Sequence, residues 1–526
     1  MTGDPASSWR RTAVNLTALA LLWEVAGHYD LVASGALPAP SEIAVQFWAD
    51  RGDYGYHVEA TLIAAFAGFA IGNLIAIAAA VAFTLWPVSA RLARGINVAL
   101  FALPPIALVP ILVIAFQGMT PRIILAAVAV YFPTMTAMVV GLRGIDPRTA
   151  DVIRTYAGSR WALMRWVRLR SSLPALLGGL RVAAPNAVLG AILAEFGGGG
   201  RWGLGTYLLG SLGQANPARI WGIGLTATVI AALAYLAFAL IANRVVGATR
   251  AVTIAAGAMP DSGSARGGEP PHRTFAIAVL AVLAPFAAWW AILLALGISP
   301  IVAKTPPGLV EYLFFGNTAA SAQARLLGAL AETLPITLAG MAAGLMVAFG
   351  LAILGEIRPA IVRSLMPVAL VSQTMPLVAL TPLLVLLLGR GTAVTLAITV
   401  SVTFFPAYVT MAQGLQLVPR AAFDLTRAYG ASWLQELYMV AIPSALPYVF
   451  AATRLAVPRA LLGVMIAEWL ATGVGLGNLL NQSRGYLDYG MIWAVAVVSV
   501  ILSILFYQAV TVVERRVLAR SGMWDR

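Results

Sequence analysis

Runs of roughly twenty apolar residues recur along the whole chain, and a run of that length is what one helical crossing of a bilayer requires. In the first half six such runs lie at about 12–29, 59–85, 95–117, 121–141, 175–196 and 219–243. In the second half six more lie at about 274–298, 331–356, 364–389, 391–413, 447–470 and 488–513. Prolines interrupt several of them, as in "ALPPIALVP" from Ala102. Neighbouring helices in a membrane can re-satisfy the backbone groups that proline frees. The pattern predicts an all-α polytopic membrane protein with about 12 transmembrane helices. Composition agrees: 60% of residues are hydrophobic and 10% charged, against about 25% charged in soluble domains.

The net charge of +13 has its explanation in the same place. Basic residues collect in the cytoplasmic loops of membrane proteins, so no nucleic-acid partner is implied. With the N-terminus inside, about 26 basic residues fall on the cytoplasmic side, out of 34 in all. Arg51, Arg122, Arg201, Arg219, Lys304, Arg325, Arg390 and Arg484 fall outside. Arg10-Arg11 and the first apolar run resemble a signal peptide. Glu24 and His28 within that run favour a retained first span instead. There is no cysteine, hence no disulfide framework and no thiolate metal site. His28, His57 and His272 are scattered, so no metal site is expected.

The two halves repeat one another. "TLIAAFAGFAIG" from Thr61 matches "TLPITLAGMAAG" from Thr333. Pro104 and Pro110 match Pro376 and Pro382, and Phe132-Pro133 matches Phe405-Pro406. Arg181, Pro185 and Glu195 match Arg454, Pro458 and Glu468. Gly203–Gly205 matches Gly475–Gly477. Six spans per half is an even number, so both copies share one orientation, a parallel repeat. The expected organisation is a first domain at 1–250, a cytoplasmic linker at 251–273 rich in Gly, Pro and Ser, and a second domain at 274–526.

Between the fourth and fifth runs of each half lies an amphipathic stretch. The first is "DVIRTYAGSRWALMRWVRLRSSLP", Asp151 to Pro174, and the second "DLTRAYGASWLQELYMVAIPSALP", Asp424 to Pro447. Aligned without a gap, Asp151, Arg154, Tyr156 and Ser159 fall on Asp424, Arg427, Tyr429 and Ser432. Leu173-Pro174 falls on Leu446-Pro447. Asp424 suits the cap of a short helix. Gly430 breaks or bends the chain at low steric cost, and a second helical stretch follows from Ser432. Two copies in a two-fold repeat suit a two-fold partner. The alternative is a helix lying among lipid headgroups.

These stretches resemble the cytoplasmic signature of the inner-membrane permeases of binding-protein-dependent ABC importers, with two permease halves fused in one chain. That signature runs Glu-Ala-Ala, three residues, Gly, a spacer and Ile-x-Leu-Pro; here it reads "DLTRAYG" followed by "IPSALP". "LPAPSEI" at Leu37, "PPIALVP" at Pro104 and the Ala-Glu pairs at Ala194-Glu195 and Ala467-Glu468 resemble the nitrate, sulfonate, taurine and thiamine-precursor branch. The chain departs from the signature in having Asp for Glu in both copies. Val152-Ile153 and Leu425-Thr426 replace the alanine pair. Ala157, followed by Gly158, replaces the glycine of the first copy, and Arg170 stands where the second copy has Pro443.

The resemblance implies that both segments are coupling helices docking on ABC ATPase subunits. The residues concerned are Asp151, Arg154, Tyr156, Ala157, Gly158, Ser159, Leu173 and Pro174 in one copy. In the other they are Asp424, Arg427, Tyr429, Gly430, Ser432, Leu446 and Pro447. It further implies two ATPase subunits inside, a periplasmic or lipid-anchored substrate-binding protein outside, and a small-molecule substrate. The location implied is the bacterial inner membrane with both termini cytoplasmic. The sole lysine, Lys304, has no phosphate-binding loop around it, so no catalytic residue and no cofactor are expected in this chain. With Ala157 in place of glycine, the first segment is expected to resist the backbone that Gly430 permits. Glu195, Glu468, Gln117, Gln373, Asn186 and Trp469 are candidates for lining the path, since polar groups at membrane depth usually face a cavity or partner. Glu195 and Glu468 can equally cap the Gly-rich loops that follow them. The alternative architecture is a twelve-helix secondary transporter of the facilitator type, also a two-by-six repeat. Here, though, the elaborate loop joins the fourth and fifth runs rather than the second and third.

Overall fold

A computed structural model describes residues 5–32, 35–198, 200–214, 216–246, 271–362, 365–366 and 375–520. Most of the 251–273 stretch, and Gln373, lie outside these described residues. The first half contains α1 (Pro5–His28), α2 (Pro40–Ala49), α3 (Arg51–Leu85), α4 (Arg94–Ala102), α5 (Pro105–Ala115), α6 (Thr120–Arg143), α7 (Pro147–Thr155), α8 (Leu173–Phe196), α9 (Leu204–Leu212) and α10 (Pro217–Val246). The second contains α11 (Pro271–Leu296), α12 (Ala319–Ile357), α13 (Leu377–Leu388), α14 (Thr392–Gln416), α15 (Arg420–Ala428), α16 (Ile442–Ala467), α17 (Gly475–Gly485) and α18 (Tyr489–Arg520). Among the described residues no strand is present.

Nine helices among the described residues are long and apolar enough to cross a membrane, and a tenth span arises if α4 and α5 count as one. These two meet at 97°, so the run at 95–117 is sharply bent rather than the continuous helix expected. The cause is Leu103-Pro104-Pro105: two consecutive residues lack an N–H, and the ring of each excludes a helical predecessor. In the second half Pro376 precedes α13, a helix of 12 residues. Elsewhere prolines sit inside long helices at Pro133, Pro185, Pro406 and Pro458.

The second and fourth spans of each half pack through small residues. Gly68 and Gly72 lie against Ala126 and Ala127 of α6, and Gly340 and Gly344 against Thr399 and Thr403 of α14. Paired glycines four apart let two backbones approach closely, which favours helix association in lipid. The repeat read from the sequence is thus a repeat of packing.

One apolar core joins the halves. Ile106, Val109, Ile192 and Leu208 from the first belong to the same buried cluster as Leu383, Leu461, Met465 and Met491 from the second. Helices α4 and α5 pack on α18, and α13 packs on α10. Helices from the third apolar run of each half therefore pack on the last helix of the other.

Candidate functional site

The two segments fold alike. In the first, Asp146 caps α7 by accepting a hydrogen bond from Arg148 N–H at 2.9 Å, with Pro147 at the first helical position. The helix ends at Tyr156, and Ala157 turns left-handed with φ 55°. Gly158 N–H then donates to Ile153 O at 2.8 Å, and Ala157 N–H to Arg154 O at 2.9 Å. In the second, Gly430 has φ 75°. Ala431 N–H donates to Thr426 O at 3.0 Å, and Gly430 N–H to Arg427 O at 2.9 Å. Both are helix ends closed by one left-handed residue, which satisfies carbonyls the helix leaves free. Ser159 then caps a short helix, accepting from Ala162 N–H at 3.2 Å, as Ser432 accepts from Gln435 N–H at 3.4 Å. A wide turn follows at Met164–Arg168 and again at Leu437–Ala441. The fifth span comes next, starting at Leu173 in the first copy. In the second it starts at Ile442, with Leu446 and Pro447 already inside it.

Two expectations are corrected. Asp424 is not a cap: it lies inside its helix, where Pro419 holds the capping position, and the matching Asp151 likewise lies inside a helix capped by Asp146. Asp151 pairs instead with Arg154 at 3.1 Å on the exposed surface. Ala157 does not change the backbone either. It adopts the left-handed conformation that Gly430 adopts, because the two closing hydrogen bonds and the Ser159 cap fix its neighbours.

What the two segments present outward differs. Tyr156 and Tyr429 are each 85% exposed, and Val152 and Leu425 are exposed at matching positions. Around them the first copy carries Arg148, Arg154, Arg160, Arg165 and Arg170, with Trp166 flanked by Arg165 and Arg170 at 5.5 and 5.2 Å. Burial, together with the charges of Arg154 and Arg143, lowers the pKa of Arg168. The second copy instead exposes Leu434, Tyr438 and Met439. Its Arg427 forms a two-pronged pair with Glu436, at 2.7 and 3.1 Å. The hydrogen bond to Glu436 raises the pKa of Arg427.

At the opposite end of the fifth spans, Glu195 and Glu468 are buried in equivalent settings. Glu195 accepts from Thr61 Oγ1 at 2.9 Å and from Gly205 N–H at 2.9 Å. Glu468 accepts from Thr333 Oγ1 at 2.7 Å and from Gly477 N–H at 2.8 Å. Each threonine hydroxyl in turn accepts from the loop, Leu204 N–H to Thr61 and Leu476 N–H to Thr333, both at 2.9 Å. Gly203 has φ 146° and Gly475 φ 83°, and a Cβ at either would overlap the carboxyl group. A carboxylate at a helix end thus ties the Gly-Leu-Gly loop to the second span. The halves differ in charge: Arg122 Nη1 lies 3.7 Å from Glu195, whereas the register of the repeat puts the uncharged Thr395 where Arg122 stands. Thr61 and Thr333 are not among the site candidates read from the sequence, although each heads one of the two matching stretches of the repeat.

The other path candidates are scattered. Gln117 is exposed after α5, Asn186 is half-buried within α8, and Trp469 is packed into the core shared by the halves.

The chain resembles known transport proteins in both halves. The family model described as "binding-protein-dependent transport system inner membrane component" matches residues 72–250 and again 340–519. A formylaminopyrimidine transport permease protein of Halalkalibacterium halodurans is 33% identical, over 35% of this chain and 76% of its own length. A probable ABC transporter permease protein of Haemophilus influenzae is 32% identical, over 27% of this chain and 58% of its own length. The taurine transport system permease protein of Escherichia coli is 25% identical, over 47% of this chain and 90% of its own length. The chain thus spans little more than half the length of the Haemophilus relative. Two matches, one in each half and together covering most of the chain, show that it belongs to the inner-membrane permease family of binding-protein-dependent transport systems and carries that family's domain twice.

Proposed function

We propose that this chain supplies both permease halves of an ABC importer. It forms the path for a small solute that a binding protein delivers from outside, and two separate ATPase subunits drive it from inside. The first half occupies about 1–250, the second 274–526, and both termini face the cytoplasm. The observation that carries the reading is the recurrence of one capped, exposed two-helix segment in each half, with Tyr156 and Tyr429 at its tips. A tip needs a rigid backbone to transmit a push, and the helix end closed at Ala157 or Gly430 supplies it. Exposed apolar side chains beside the tip suit a partner's groove.

In this reading Glu195 and Glu468 brace the outer loops, and the path runs beside the inward-facing parts of the fifth spans, including Asn186. The chain itself hydrolyses no ATP. The test is co-purification. Tyr156→Asp and Tyr429→Asp each place a charge where an apolar contact is expected. Each should lower recovery of the ATPase subunits with the chain while leaving its membrane level unchanged. Full recovery with both changes present would reject the segments as the docking sites, and phosphate release by the chain alone would reject the division of labour.

A further inference from the structure

Helix α16 carries an arginine, Arg459, that is not among the site candidates read from the sequence. Arg459 lies nine positions before Glu468 and sixteen after Pro443, hence about 14 Å and about 24 Å from them along a helix rising 1.5 Å per residue. With a hydrocarbon core about 30 Å thick, this is membrane depth. Its Nη1 is buried and has no hydrogen-bond partner. The contrast on the same helix is Arg454, whose guanidinium pairs with Glu514 of α18. No ion pair holds Arg459 among the described residues.

The position is part of the repeat. Asn186 stands in α8 where Arg459 stands in α16, and Leu189 where Leu462 stands. Each of these four residues is half-buried, while Ala183, Ala184, Pro185, Ala187 and Val188 in one helix and Leu455 to Pro458, Ala460 and Leu461 in the other are buried. Helix α8, and the span that includes α16, are the most enclosed candidate spans among the described residues. A partly accessible stripe, repeated in the two most enclosed helices and polar at one position in each, faces internal space better than lipid.

We propose that Arg459 is an anion-contacting residue of the translocation path, and that the importer carries small solutes with a carboxylate, sulfonate or phosphate group. The proposal rests on the importer reading given above. An unpaired guanidinium at membrane depth is costly and marks a substrate or ion pathway. A guanidinium is a planar fork that fits two oxygens of such a group at once. Among the described residues its charge stands uncompensated, so a cationic solute would be repelled there. Asn186 supplies a neutral donor and acceptor at the related position, able to contact the rest of the solute without adding charge.

The absence of cysteine makes a direct test possible. Leu462→Cys places a thiol one turn from Arg459, and Leu189→Cys places one at the related position. The full chain, assembled with its ATPase subunits in membrane vesicles, is labelled with two methanethiosulfonates of similar size. One is the anionic sulfonatoethyl reagent and the other the cationic trimethylammonium-ethyl reagent. Rates are normalised to those with a free thiol. At Leu462→Cys the anionic reagent should be favoured, and Arg459→Gln should reduce that preference about tenfold or more. Arg459→Lys should keep most of it, and recovery of the ATPase subunits should be unchanged in every variant. Absence of labelling at both positions in all nucleotide states would overturn the placement in the path. A rate ratio unmoved by Arg459→Gln would overturn the anion selectivity. Neither result touches the ATPase recovery on which the importer reading is judged.

Discussion

Ala157 and Gly430 hold the same left-handed backbone at the ends of α7 and α15, with φ of 55° and 75°. In both cases the next residue donates back into the last turn, Gly158 to Ile153 and Ala431 to Thr426. One copy does with alanine what the other does with glycine. An L-residue with a Cβ pays about 1 kcal/mol or more for that conformation.

Ala157→Gly should therefore stabilise the first segment by up to about 1 kcal/mol, less what is lost because glycine frees the unfolded chain. Gly430→Ala should destabilise the second by a similar amount. Hydrogen exchange of the amides at 158 and 431 reports each closing bond directly. Exchange should slow in the first variant and quicken in the second. Valine at either position, being β-branched, should be worse than alanine at Gly430, and the two valine variants should damage ATP-coupled uptake alike. A defect confined to Gly430→Val would show that the segments differ in more than this residue.

The loop braces give a second expectation. Glu468→Ala leaves the Thr333 hydroxyl and the Gly477 N–H without their acceptor in a buried site, at about 1–3 kcal/mol for each unsatisfied group. Glu195→Ala should cost at least as much, because it also removes the carboxylate beside Arg122 at 3.7 Å. Thermal unfolding of the purified chain, followed by tryptophan fluorescence, is the measurement. A variant unfolding at the parental temperature would show that the loop does not depend on its carboxylate.

Gly203→Ala and Gly475→Ala test the same loops from the other side. The new Cβ would meet the carboxyl group of Glu195 or Glu468, on a backbone that L side chains rarely adopt. Each substitution should lower the unfolding temperature more than Gly210→Ala, where a Cβ meets nothing within 4 Å. Equal effects at all three positions would remove the steric argument.

The shared core predicts how the halves behave when separated. Opening the chain within 251–273 and co-expressing the pieces should return both in one complex. The core joining Ile106 and Val109 to Leu461 and Met465 does not need the connection. Val109→Asp should abolish that recovery by placing a charge in the shared core. Pieces that never co-purify would mean that the covalent link is needed to bring the core together.

The sequence by itself determined the class and the plan. Apolar runs of membrane length fix the helices, since the bilayer leaves the backbone few other choices. The register shared by Thr61 and Thr333, by Pro110 and Pro382 and by Glu195 and Glu468 fixes the repeat. The spacing in "DLTRAYG" and "IPSALP" fixes the resemblance to permeases. What it left undecided were matters of partnership. Glu195 is a path candidate or a loop cap until Thr61, 134 positions away, and Gly205 are brought to it. Ala157 reads as an obstacle until the hydrogen bonds of its neighbours hold it left-handed. The kink at Leu103–Pro105 is written in the two prolines, but its 97° angle and the packing of α4 and α5 against α18 are visible only in the fold. Arg459 looks like Arg454 on paper, and only the placement of Glu514 beside Arg454 separates a neutralised arginine from one that no described residue pairs. Charge and hydrogen bonding act over a few ångströms of space, and long-range folding, not the order of residues, decides which groups come that close.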